Sequence, residues 1–244
     1  MMWDGVLVQV LAILFAATFI RSAFGFGEAL VAVPLLALLI PVEVAAPVAV
    51  LVSITVAAVA VFQDWRHVHL RSAGSLFVST LVGIPIGLWL LSAVPAGVVK
   101  TLLAGIIIAF SAFFLVRRSP GALKTDKLAP LFGFVAGILG GAYGMNGPPL
   151  VAYGTFRRWS PRHFRATLQG YFLPASIVVM AGYAMTGLWT GEVTRYYLLS
   201  LPVVVAAIFI GRMANRRLDG QAFLACVHGG LIVVGAALLW QSHA

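Results

Sequence analysis

Apolar residues run along this chain in long blocks, broken by glycine, proline and charge rather than alternating with polar positions. Residues 6–20 are apolar up to Arg21, and residues 29–40 follow a break at Gly25 and Gly27. Three runs of spanning length come next, at 44–62, 72–91 and 98–116, with Pro85 inside the second. Residues 119–127 are polar and contain Pro120-Gly121, the composition of a linker. Beyond them 128–143 is apolar, a second glycine break follows, and only 150–156 remains before Arg157 and Arg158. Runs at 166–186, 196–211 and 221–240 complete the chain. About 20 apolar residues of helix cross a hydrocarbon core about 30 Å thick. The six runs away from the breaks meet or approach that length. The runs beside the breaks fall short: 6–20 would rise roughly 22 Å. The pattern predicts two hairpins, 6–40 and 128–156, each entering and leaving by one face and each followed by three crossing helices. Irregular backbone at membrane depth survives only inside protein or beside a wet cavity, so both breaks are expected in the interior.

The two breaks repeat one another. Ala23-Phe24-Gly25-Phe26-Gly27 and Ala142-Tyr143-Gly144-Met145-Asn146-Gly147 superpose once Asn146 is taken as an insertion, and a shared Leu-Val-Ala follows at Leu30 and Leu150. Further on, Pro41 matches Pro161 and Ala46 matches Ala166. The spacing is about half the chain, and a repeat of that size shapes the whole fold. The expected architecture is an all-α polytopic membrane protein built of two repeats, residues 1–120 and 121–244.

Composition and charge sharpen this picture. Of 244 residues, 61% are apolar or aromatic and 9% are charged, which fits an integral membrane protein and leaves no room for a soluble domain. The net charge of +9 is not a nucleic-acid signal. Thirteen of the 16 Lys and Arg fall in four loops, around Arg66 and Arg71, Arg117–Lys127, Arg157–Arg165 and Arg212–Arg217. Such an excess marks cytoplasmic loops. Placing all four inside gives a consistent path with both termini outside, and it makes the second repeat inverted relative to the first. Asp4 stands where a signal peptide would carry basic residues, and the single cysteine, Cys226, forms no internal disulfide.

Paired Gly/Pro-interrupted segments in two halves point to the binding site of a secondary transporter. A glycine lets backbone N–H groups approach a ligand, and a helix start beyond it offers orphan N–H groups and the positive dipole end to an anion. Substrate contacts are therefore expected from Gly25, Phe26 and Gly27 at the first break and from Tyr143, Gly144, Met145, Asn146 and Gly147 at the second. The rival reading of the glycines is close helix packing, with Gly133, Gly137, Gly140, Gly141 and Gly144 as a small-residue face. Arg21 is a charge at membrane depth and hence a functional candidate. Gln169 and Thr167, near the inner end of their helix, are further polar candidates, with interhelical contact as the rival reading of both. Glu28 is the acidic residue at membrane depth and the candidate for coupling to a proton. With one such carboxylate, a cation carrier is disfavoured. His67 and His69, with Asp64, lack the third or fourth fixed ligand a metal needs, and His228 reads as a satisfied polar contact. No motif for a nucleotide, cofactor or catalytic metal occurs, so transport must draw on a gradient, of the substrate or of protons or other cations. An inside-negative potential favours exit of an anion. The alternatives are an intramembrane enzyme, a membrane-assembly factor, or a carrier of another small anion or a cation. Partners expected are a small anion and the lipid bilayer, and a homo-oligomer is compatible with the sequence.

The paired motifs, Phe24-Gly25-Phe26-Gly27 with Val33-Pro34 and Gly140-Gly141-Ala142-Tyr143-Gly144-Met145-Asn146-Gly147-Pro148-Pro149, resemble those of the TauE/SafE family of sulfite exporters, over essentially the whole chain. The resemblance implies an inner-membrane carrier of sulfite, sulfoacetate or other organosulfonates. One departure stands at Glu28, where the family often has a further glycine after the first break.

Overall fold

A computed structural model describes residues 2–64, 70–116, 123, 125–214 and 220–243. Among these the chain is helical, with no strand. Ten helices follow in order: α1 (Met2–Phe24), α2 (Glu28–Leu36), α3 (Val42–Asp64), α4 (Leu70–Ala93), α5 (Ala96–Val116), α6 (Ala129–Tyr143), α7 (Gly147–Phe156), α8 (Pro161–Met185), α9 (Gly191–Ala214) and α10 (Gly220–His243). Both breaks fall between helices, α1/α2 and α6/α7, each spanning three residues.

One expectation is corrected. The run 6–20 is not a short half-helix ending at Arg21. Helix α1 has 23 residues, a rise of roughly 34 Å, and its stretch Gly5–Phe24 is long and apolar enough to cross a membrane. Charge ended the apolar run without ending the helix, because Arg21 finds its partners inside the protein. The segments α2, α6 and α7, of 9, 15 and 10 residues, remain too short to cross alone. By length and composition α3, α4, α5 and α9 also qualify as spans among the described residues. Large apolar side chains such as Trp89, Phe209 and Val233 are exposed on the helix bundle, as lipid-facing positions are.

The most extensive helix contacts follow a pattern that exchange of the two halves leaves unchanged. Helix α4 lies along α6 as α9 lies along α1; α8 meets α4 as α3 meets α9; α3 packs on α8 and α5 on α10. The α3/α9 and α4/α8 interfaces each carry a threonine–tyrosine hydroxyl pair, Thr55 with Tyr197 at 2.8 Å and Thr80 with Tyr171 at 2.6 Å. The α4/α6 contact is made by glycine. A Cβ on Gly83 would lie 2.9 Å from the Ile138 nitrogen, and one on Gly141 would lie 2.9 Å from the Leu88 nitrogen. Gly133 and Gly137 are closed off by α4 backbone in the same way. These glycines of α6 are packing residues, as small-residue helix faces generally are.

Of the linker, Leu123 and the 3-10 turn Asp126–Leu128 are described. The Leu123 N–H donates to the Phe156 carbonyl (2.9 Å), Arg157 donates to the Leu123 carbonyl (2.9 Å), and the Tyr153 hydroxyl donates to Asp126 (2.5 Å). The linker is thereby tied to the end of α7. Six of the thirteen basic loop residues that set the expected orientation, among them Arg66, Arg117 and Arg216, lie outside the described residues, as do His67 and His69.

Candidate functional site

The first break forms because two of its residues adopt the left-handed backbone conformation. Gly25 has φ 88° and Gly27 φ 97°, values that L side chains rarely adopt. The Gly25 N–H closes α1 on the Arg21 carbonyl, and Gly27 stands at the start of α2 with no side-chain cap. The second break needs one such residue. Gly144, φ 65°, donates to the Gly140 carbonyl (2.8 Å) while Met145 donates to Leu139 (3.1 Å), which satisfies the last carbonyls of α6. Asn146 then precedes α7, again with no side-chain cap. The two starts differ in what they offer. The first turn of α2 keeps its N–H groups, whereas Pro148 and Pro149 remove two of those of α7. Pro148 sits in the first turn, where a missing N–H disturbs no helix bond.

Arg21 and Glu28 bridge the first break. The Arg21 Nη1 donates to Glu28 Oε2 at 2.5 Å and also to the Ser53 hydroxyl of α3, while the Thr18 hydroxyl donates to Glu28 Oε1 at 2.9 Å. Arg21 is 8% exposed and Glu28 2%. Each charge also suits its place: a cation in the last turn of α1 and a carboxylate in the first turn of α2 both complement the helix dipoles. The guanidinium lies over the Phe172 ring of α8, 5.0 Å from its centroid, within cation–π range. Among the described residues both side-chain hydrogen bonds of Arg21 leave from Nη1. A guanidinium has five N–H donors, so those on Nε and Nη2 are left for a ligand.

A cavity opens where these groups meet. It is lined by Arg21, Phe26, Gly27 and Glu28 from the first break, by Gly144, Met145, Asn146, Gly147 and Pro148 from the second, and by Ser53, Phe110 and Phe172 between them. Ser53 is near the middle of α3 and Phe172 near the middle of α8, so the cavity lies at mid-length of both helices. Its volume, as space open to the centre of a water-sized sphere, is ≈ 20 Å³. One water needs roughly 10–15 Å³ by that measure. An oxyanion of four heavy atoms therefore enters only if the walls part.

Most of the expected site residues converge here, and the exceptions are informative. Gly25 does not line the cavity; it turns the chain. Tyr143 is buried with its hydroxyl donating to the Val99 carbonyl of α5 (3.0 Å), away from the cavity. The side chain of Gln169 lies outside the described residues. His228 meets the Ser111 hydroxyl at 3.3 Å through Nδ1, and its Nε2 has no partner among the described residues, so it is half satisfied rather than fully. Thr18, Ser53, Phe110 and Phe172 went unread in the sequence. Two of them had a signal: Thr18 lies one turn before Arg21 on the same helix face, and Ser53 is a hydroxyl inside a spanning run.

Comparison with known proteins bears on what this arrangement belongs to. No solved structure matches the chain. It is 26% identical over 239 residues to a protein of Cupriavidus necator named "Probable sulfite/organosulfonate exporter TauE", a match covering 96% of this chain and 93% of the relative. The model of the family described as "Sulfite exporter TauE/SafE" matches residues 10–238. With its apolar spans and paired glycine breaks, the chain is a multi-pass membrane protein and a transporter rather than an enzyme, and it belongs to the TauE/SafE sulfite exporter family.

Proposed function

We propose that the chain is a secondary carrier that exports a small sulfur-containing anion, hydrogen sulfite or an organosulfonate, across the inner membrane by alternating access around the two breaks. One observation carries the reading: one cavity is lined by both glycine breaks and by an arginine with free donors. Anion recognition needs what is present there, namely a cation held by a cation–π contact and a hydroxyl, and N–H groups at an uncapped helix start. Aromatic and thioether surface from Phe26, Phe110, Phe172 and Met145 suits the soft sulfur centre or short apolar tail of such an anion. Direction and cargo follow the name of the Cupriavidus relative. Counterflow in proteoliposomes tests the reading. Preloaded unlabelled hydrogen sulfite or a sulfonate should drive transient accumulation of the labelled anion at least several-fold above equilibrium. Accumulation of a labelled cation, with none of any sulfur anion, would contradict it.

In this reading residues 1–120 and 121–244 are repeats of opposite orientation. The half-exchanged packing of the helices supports a two-fold relation. Alternating access then amounts to rocking one set of helices against the other around the breaks. Orientation is testable by labelling single cysteines after Cys226 is replaced. Cysteines at Glu43 and Glu192 should react from outside, and those at Thr125 and Ser160 only after permeabilisation. Reaction at Ser160 from outside would refute the inverted arrangement.

A further inference from the structure

The charge balance of the cavity points to the coupling ion; the inference rests on the reading of that cavity as the anion site. Thr18 and Arg21 of α1 contact Glu28, Ser53 of α3 accepts from Arg21, and Phe110, Phe172, Asn146 and Pro148 close the cavity from α5, α8 and the second break. Among these described groups Arg21 is the one other titratable or charged side chain. His228 of α10 sits behind Phe110, ring centroids 5.8 Å apart, and does not line the cavity. With both ionised, Arg21 and Glu28 cancel. A substrate anion adds a second negative charge beside a carboxylate that is 2% exposed, and an uncompensated buried charge is strongly unfavourable. One arginine balances one negative charge, so either the site excludes anions or Glu28 gives up its own.

We propose that Glu28 takes up one proton whenever a monoanion binds Arg21, so that anion and proton cross together and the site is neutral both loaded and unloaded. In the step a proton from the solution that the site faces bonds to a carboxylate oxygen of Glu28. The ionic contact from Arg21 Nη1 to Oε2 is lost, and guanidinium N–H groups donate to an oxygen of the anion. Nothing is oxidised or reduced. Thr18 and Ser53 keep their places, Thr18 as donor to the neutral acid's carbonyl oxygen and Ser53 as acceptor from Arg21. The membrane potential then has no hold on the cargo. Export runs on the outward gradient of the anion, against or with the pH gradient.

Methanesulfonate is the probe of choice, because it does not titrate near neutral pH, with hydrogen sulfite as second probe. A bare monoanion moved alone distributes about 50-fold across a membrane held at 100 mV, from 2.3 kcal/mol per charge. Coupled carriage predicts a distribution near 1 in wild-type proteoliposomes under a potassium-valinomycin clamp, with acidification of the lumen as the anion enters. Glu28→Gln imitates the protonated acid. It should lose the acidification, bind methanesulfonate with an affinity independent of pH, and distribute the anion according to the potential. Wild-type affinity should rise as pH falls. A potential-driven distribution in the wild type, or acidification retained in Glu28→Gln, would overturn the proposal while leaving the anion site intact. If Glu28→Gln is not recovered folded, the wild-type distribution decides by itself. No flux of either probe through folded wild type would remove the anion-site reading and this proposal with it.

Discussion

Arg21→Ala should abolish transport and also destabilise the protein, and the two effects should separate. Removing the guanidinium leaves Glu28 buried at 2% exposure with Thr18 as its remaining hydrogen-bond partner. Breaking a buried ion pair from one side costs about 3–5 kcal/mol, because the surviving charge has no compensation. Replacing both charges with neutral groups of similar shape is often near neutral. The double variant Arg21→Ala/Glu28→Gln should therefore recover most of the lost thermal stability, measured in detergent by unfolding of the purified protein. Counterflow should not recover with it, and should stay at least 100-fold below wild type. If Arg21 were only a snorkelling or structural arginine, stability and transport would return together in the double variant.

The second large effect concerns the second break, where two glycines three positions apart should behave in opposite ways. A Cβ on Gly144 would lie 2.6 Å from Val50 Cγ2 and 3.4 Å from the Ala46 carbonyl, on a residue with φ +65°. Val50 is 1% exposed and β-branched in a helix, so its rotamer is fixed and it has nowhere to turn. Overpacking of this kind costs about 1–3 kcal/mol, and the left-handed backbone adds roughly 1–2 kcal/mol for a residue with a Cβ. Gly144→Ala should thus lower stability by a few kcal/mol and reduce the amount of folded protein. Gly147 is different. It is helical, and its Cβ would meet the Phe172 ring at 3.7 Å, an ordinary contact. Gly147→Ala should fold normally, yet its methyl group narrows a cavity of ≈ 20 Å³ beside the ring that holds Arg21. Transport should fall by an order of magnitude with unchanged unfolding temperature. Equal loss of folded protein in both variants would mean that the second break is packing alone.

Much of this was legible in the chain because each feature had a local cause. Apolar run length located the long helices, and glycine at 25, 27 and 144 located the turns, since positive φ is a property of single residues. The convergence of the two breaks was readable from the repeat, which relates distant positions without any contact being known. The helix through Arg21 was misread for a physical reason. A charge ends a hydropathy run, but a helix continues through it when the side chain is neutralised by a partner seven residues on and a hydroxyl on another helix. Ser53, Phe110 and Phe172 come from three further helices, and no local pattern says which face of each meets the breaks. The glycines of α6 show the limit from the other side: a small-residue stripe reads alike for packing and for binding, and Gly133, Gly137 and Gly141 turned out to face α4, while Gly144 and Gly147 line the cavity.

Binding to Arg21 is the centre of the account, and a ligand that binds the folded state raises its apparent stability in proportion to the logarithm of its concentration. Thermal unfolding of wild type and of Arg21→Ala/Glu28→Gln should be followed against titrations of hydrogen sulfite, methanesulfonate, thiosulfate, sulfate, acetate and simple cations. The account predicts that at least one sulfur monoanion stabilises the wild type in a saturable manner and that none stabilises the double variant. An equal shift in both proteins, or a shift with cations alone, would contradict it.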